Sequence, residues 1–417
     1  MLTFKNKNSI HSILFFLCIV VSLFPNYELT FAVWFVVFLV TIKRHYSVTI
    51  FKYVATFSAI LLIAFFSSLF YQPKLFLFIR DITYMIKPIV GLLLGYQIFK
   101  NEKTLRLNYF IYVGLIIAII HIGTIFIAFL QVKSLNLNLL REKGGYFSDY
   151  EIYVIIMLIF HKELNITISK KNIKYILITV VFSSVLYAAR TNMIQFVILF
   201  LAMKGYFRIT KKSLTILFSI FSLTLISYFA IVSYNPKRAG KGLDAFLYKI
   251  KIAPEEAFKT KINKNDWKDF NDNYRSFENI ITVKQVSHEG PLAILFGEGL
   301  GSSLNLGRKV YTNDGDYVQF IPYVHNGFMT VFLKSGIFGL VFLLLFLILL
   351  FKQPKTNDPK LLYINYLLIG TSVFLIVSNW VFLGLYLKLD NKSIIIGFLI
   401  ALREVIAKQS NTNLIEK

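Results

Sequence analysis

The chain has 417 residues, 56% of them hydrophobic and 17% aromatic, with a formal net charge of +23 and a mean hydropathy of +0.63. Soluble domains are about 45–50% apolar, so this composition points to lipid rather than water as the main solvent. The single cysteine, Cys18, excludes an intrachain disulfide framework and a multi-thiolate metal site.

The apolar residues come in blocks too long for a globular core, and residues 53–70 and 336–351 carry no charge at all. In chain order, helices are predicted near residues 9–24, 28–42, 51–70, 75–99, 107–130, 147–161, 174–189, 191–206, 213–233, 326–351, 361–384 and 390–405. A span needs about 20 apolar residues, fewer where neighbours shield its ends, and its backbone must be satisfied internally. Lys5 and Lys7 ahead of residues 10–24 resemble a signal peptide. No small-residue cleavage site follows, so this block reads as an uncleaved first helix with its N-terminus inside. The expected fold is an all-α integral membrane protein of about twelve transmembrane helices with cytoplasmic termini and no internal repeat.

Lys and Arg gather in alternate connections: Lys43, Arg44 and Lys52; Lys100, Lys103 and Arg106; Lys162, Lys170, Lys171 and Lys174; Lys204, Arg208, Lys211 and Lys212; Lys352, Lys355 and Lys360. This is the positive-inside asymmetry, so the basic balance is topological and no nucleic-acid partner is expected. One connection departs from it. Residues 234–324 are polar and mix both signs of charge, which divides the chain into helices (1–233), a large loop (234–324) and further helices (325–417). The alternation puts that loop outside, and amphipathic stretches at 244–252 and 277–286 predict that part of it folds onto the membrane surface.

Three outward residues carry candidate chemistry. Arg190 stands at the tip of a hairpin with almost no polar loop, Arg275 lies within Asn-Tyr-Arg-Ser-Phe-Glu-Asn, and His325 marks where the large loop returns to the membrane. Taken singly they read as a snorkelling anchor, a solvated loop charge and a structural interfacial histidine. Arg80, Asp81 and Lys87 interrupt the fourth span, where ionisable groups are costly. A phosphate contact for Arg80, or buried pairs for Lys87 and Asp81, are alternatives there. Arg141, before Gly144 and Gly145, is either a further phosphate contact or a solvated charge. Asp314-Gly-Asp316 looks like a metal-holding Asp-x-Asp, but Thr-Asn-Asp-Gly-Asp is also plain turn chemistry, the reading favoured here; no metal site is expected.

Taken together, Arg190, Arg275, the Gly297-Glu-Gly-Leu-Gly301 turn and His325-Asn326 opening an apolar helix with Gly336 and Gly339 resemble the O-antigen polymerase and ligase superfamily. The likeness covers residues 180–350; the first half of the chain is similar only in span layout. It implies a C-type glycosyltransferase-like bundle in the bacterial inner membrane, with a site facing the periplasm and no cofactor. The donor implied is a glycan on undecaprenyl pyrophosphate. Arg190 and Arg275 would hold the pyrophosphate, helped by Arg80, Arg141 and Lys87, while His325 positions or deprotonates the acceptor hydroxyl. The implied reaction is an inverting transfer to a lipid-linked repeat unit (polymerase) or to lipid A–core (ligase). A chain-length regulator and a flippase are the implied protein partners. A flippase is also the rival reading for this chain itself, with Arg80 and Lys87 lining a path for an anionic lipid.

Overall fold

The computed structural model describes residues 7–100, 106–133, 140, 144–208, 210–238, 243–263, 265–311 and 316–415. The chain is mostly helical. A first run comprises α1 (Lys7–Val20), α2 (Tyr27–Val40), α3 (Val48–Tyr71), α4 (Leu75–Phe99), α5 (Arg106–Val132), α6 (Asp149–Ile159), α7 (Lys170–Leu186), α8 (Arg190–Met203) and α9 (Lys211–Tyr234). A last run comprises α14 (Gly327–Phe351), α15 (Pro359–Val381) and α16 (Lys392–Ile415). Every apolar block expected to be helical is helical. Among the described residues, five helices are long and apolar enough to cross a membrane: α3, α9, α14, α15 and the part of α5 from Leu107 to Val132. Their outward surfaces carry exposed apolar side chains, such as Phe66, Phe126, Phe218 and Val341, as lipid-facing helices should.

Starts are set by short polar side chains. Asn26, Ser47, Ser148, Ser169, Thr210, Asn326 and Asp358 each accept a backbone N–H of the first turn they precede. The bundle is then held by close contacts. A β-carbon on Gly95 would lie 2.1 Å from the Ile394 carbonyl oxygen, and one on Gly397 would lie 2.1 Å from that of Leu92. Small residues thus let the backbones of α4 and α16 touch, a packing device suited to lipid.

The segment between α9 and α14 forms a cap. It contains α10 (Leu243–Phe258), α11 (Trp267–Asp272), α12 (Tyr274–His288), α13 (Pro291–Phe296) and an antiparallel hairpin of β1 (Leu304–Tyr311) and β2 (Tyr317–Ile321). The hairpin was not foreseen from the sequence. The cap has its own small core of Phe270, Phe277, Val286, Leu304 and Leu306, completed by Phe332 and Leu333 of α14.

The cap also mends a broken helix. Gly336 adopts φ 61°, ψ −158°, which splits α14. The break strands two carbonyls, and the Gly297–Gly301 turn covers them: Glu298 N–H donates to Leu333 O (2.8 Å) and Gly299 N–H to Lys334 O (3.1 Å). Unmet carbonyls in an apolar setting cost several kcal/mol each. The glycines are needed for closeness as well as for their positive φ. A β-carbon on Gly297 would meet Ser335 N at 2.4 Å, and one on Gly299 would meet Ser68 N at 2.3 Å.

Candidate functional site

Arg190 is the first residue of α8, after a turn in which Ala188 takes φ 45°. That turn is anchored by buried Tyr187, whose ring stacks on His121 with centroids 3.6 Å apart and whose hydroxyl donates to Glu151 at 3.4 Å. The Arg190 guanidinium donates to Lys249 O (2.8 Å) and pairs with Glu256 (3.8 Å). Arg275 is the second residue of α12, lies 5.1 Å from the Phe382 ring and pairs with the other oxygen of Glu256 at 3.1 Å. The two arginines expected to act together therefore do meet, on one shared carboxylate.

Both sit at helix N-termini, the positive end of the helix dipole. A cation there is electrostatically misplaced for stability. The same placement adds the positive ends of α8 and α12 to two guanidinium groups, and helix starts of this kind suit anions.

His325 lies in the loop just before α14 and is held against α12 by Glu278, one helical turn past Arg275. Glu278, three residues after Arg275 and fully buried, accepts the His325 backbone N–H at 2.9 Å and contacts its Nδ1 through both oxygens at 3.0 Å. The following residues hold the loop: Asn326 caps α14, and Gly327 N–H donates to Phe382 O at 2.8 Å. Phe382 thus braces both the Arg275 side chain and the His325 loop. The His325 side chain remains 54% exposed. The Glu278 hydrogen bond raises its pKa, more than burial and the Arg275 charge lower it. With Nδ1–H donated to Glu278, the neutral imidazole presents the lone pair of Nε2.

The other expected residues go elsewhere. Arg80 pairs with Asp81 (3.1 Å), which also meets Lys334 at 2.5 Å in a fully buried pair. Asp81 further accepts the Gly301 N–H (2.7 Å) and the Tyr323 hydroxyl (3.3 Å). Arg80 is thus tied to the His325 loop through Asp81 and Tyr323, and its neighbours account for its charge structurally. Lys87 is buried, donates to the carbonyls of Leu387 and Asp390, and lies over the Trp34 ring at 5.2 Å. It ties α4 to the turn before α16. Arg141 and Asp314 lie outside the described residues. Among those described, no group of three or more His, Cys, Asp or Glu is placed to hold a metal ion.

Glu256 and Glu278 are the site residues that sequence reasoning passed over. A signal existed for Glu278, which falls three residues after Arg275 and so shares its helical side. No protein-family model matches this chain, and no curated protein sequence is significantly similar to it.

Proposed function

We propose that this chain is a membrane glycosyltransferase that moves a glycan from undecaprenyl pyrophosphate to a hydroxyl acceptor at the periplasmic face of a bacterial inner membrane, with about twelve spans and the cap outside. The observation that carries this reading is the pair of arginines from separate helices converging on one anionic group, with the carboxylate that orients the His325 imidazole one helical turn past Arg275.

The chemistry follows from those groups. The acceptor oxygen attacks the anomeric carbon while the carbon–oxygen bond to the pyrophosphate breaks, and the bonding electron pair leaves with the phosphate. Charge grows on the leaving group, where two guanidinium forks at a helix-dipole positive end stabilise it. The acceptor proton passes to Nε2 of His325, whose Nδ1–H is held by Glu278. The attack is from the face opposite the leaving group, so the anomeric configuration inverts. Arg80 and Lys87, bound to neighbours within the protein, are left out of this scheme.

The acceptor we favour is a second lipid-linked repeat unit, which makes the protein a surface-polysaccharide polymerase. A ligase acting on lipid A–core would use the same three residues. The test is a deletion strain complemented with wild type, Arg190→Ala, Arg275→Ala or His325→Ala. Loss of polymerase leaves single-repeat glycans at the surface, whereas loss of ligase leaves long lipid-linked chains and bare core. Single repeats trapped inside would mark a flippase. Normal glycan profiles from all three variants at wild-type membrane levels would remove the enzymatic reading.

A further inference from the structure

Glu256 occupies the place between Arg190 and Arg275 where a ligand's charge belongs. Resting on the reading of these arginines as a diphosphate cradle, we propose that Glu256 is a built-in competitor for that cradle, which the donor headgroup must displace and which returns when the headgroup leaves.

The local construction suits displacement. Glu256 rides on α10, a helix with no buried residue, whose end residues Leu243 and Phe258 are 71% and 68% exposed. Mostly polar contacts hold it, beside the stacking of Phe258 on Trp380 (centroids 5.4 Å): Tyr228 Oη donates to Lys251 O (3.1 Å), Tyr248 Oη to Asp272 (2.8 Å) and Ser276 Oγ to Glu256 O (2.9 Å). Pro254 lies inside α10, two residues before Glu256. Lacking an N–H, it removes a rung of the helical ladder there, so fewer backbone bonds tie the last turn to the rest of α10. The neighbouring cation is already engaged, since Lys259 pairs with Asp269 (2.7 Å) and Glu255 (3.5 Å). The arginines are therefore the partners that hold the Glu256 carboxylate.

The advantage of the true ligand is charge. One carboxylate brings a single negative charge and two oxygens to two forks. A diphosphate brings more of both, so it can satisfy each guanidinium separately. Apparent affinity for any anion is reduced by the fraction of molecules in which Glu256 is bound. Weak monoanions then fail to open the site, and the spent lipid pyrophosphate meets a carboxylate ready to replace it.

The test uses the full chain in nanodiscs, with inorganic pyrophosphate as the probe in isothermal titration calorimetry. Two partly exposed ion pairs are worth little each, so Glu256→Gln should tighten pyrophosphate by about tenfold. The gain should vanish in the Glu256→Gln/Arg275→Ala double variant. Glu256→Asp, which keeps the charge, should gain far less than Glu256→Gln, and thermal melting of each variant checks its fold. Arg275-dependent pyrophosphate binding that Glu256→Gln leaves unchanged or weakens would overturn the competitor and spare the cradle. Absence of Arg275-dependent binding in both wild type and Glu256→Gln would overturn the cradle itself.

Discussion

The buried carboxylate of Glu278 holds His325 twice, through the backbone N–H at 2.9 Å and through ring Nδ1 at 3.0 Å. One side chain thereby sets where the imidazole stands and which nitrogen faces outward. A pH dependence follows. Because Glu278 raises the His325 pKa from 6.5, the stabilising pair is fully present below about pH 6.5 and is lost as pH rises through the raised value. A base must be neutral, so transfer should increase over that same rise. Glu278→Gln removes the charge and should shift the acidic limb of the pH–rate profile to lower pH while lowering its plateau. An unmoved limb would detach Glu278 from the base.

His325→Ala should reduce the transfer rate by about 10²–10⁴-fold, the usual worth of a general base. Binding of inorganic pyrophosphate should stay near wild type, since His325 serves the acceptor. Single-turnover transfer and calorimetry on the same sample separate the two effects.

Arg190→Lys and Arg275→Lys should recover little of the activity lost on substitution by Ala. An ammonium supplies charge without the planar fork, and each lost charged hydrogen bond costs about 1.5–3 kcal/mol, or roughly 10–100-fold in rate. Full activity of either Lys variant in a lipid pyrophosphate assay would argue for simple charge at that position.

Lys334→Met should cost about 3–5 kcal/mol, because it leaves the fully buried Asp81 carboxylate without its main counter-charge. Asp81→Asn/Lys334→Met should recover part of this, since the amide oxygen can still accept from Gly301. Melting temperatures in detergent report both changes.

Glycine substitutions in the cap separate strain from crowding. Gly299 and Gly307 both have positive φ, 81° and 66°, but only Gly299 is hemmed in. Gly307→Ala should cost about 1–2 kcal/mol from backbone strain alone. Gly299→Ala adds overpacking of about 1–3 kcal/mol against Ser67 and Ser68. Equal melting temperatures would mean that the turn is not pressed against α3.

The helices were legible because long apolar blocks leave the backbone few other solutions. α16 runs to Ile415, well past the expected 405, since the residues that follow include Lys408, Gln409, Ser410 and Asn411 and hydropathy stops at such polar stretches. Lys334 is hidden for a related reason. It stands just before the charge-free block 336–351 and looks like a flank, but the break at Gly336 and the turn packed on it enclose the ammonium. Strand β1 was missed because Gly307, Arg308 and Lys309 interrupt its alternation after Leu304 and Leu306. At the candidate site, Arg190, Arg275 and His325 could be picked out as residue types at odd places. Glu256 could not, because a glutamate in a mixed-charge loop looks solvated until tertiary contacts bridge it, and Glu278 offered only its place three residues after Arg275.

The seam where residues 297–301 seal the interrupted helix has a bearing on biosynthesis. Residues 297–301 leave the ribosome before Leu333 and Lys334 do, so the chain that seals the gap is made before the gap itself. Its docking joins Ala64 and Ser68 of an early helix to a late one, since Leu300 N–H donates to Ala64 O at 3.1 Å. The cap is thus part of the packing of α3 against α14, and a defect in it would surface as a failure of those two helices to close.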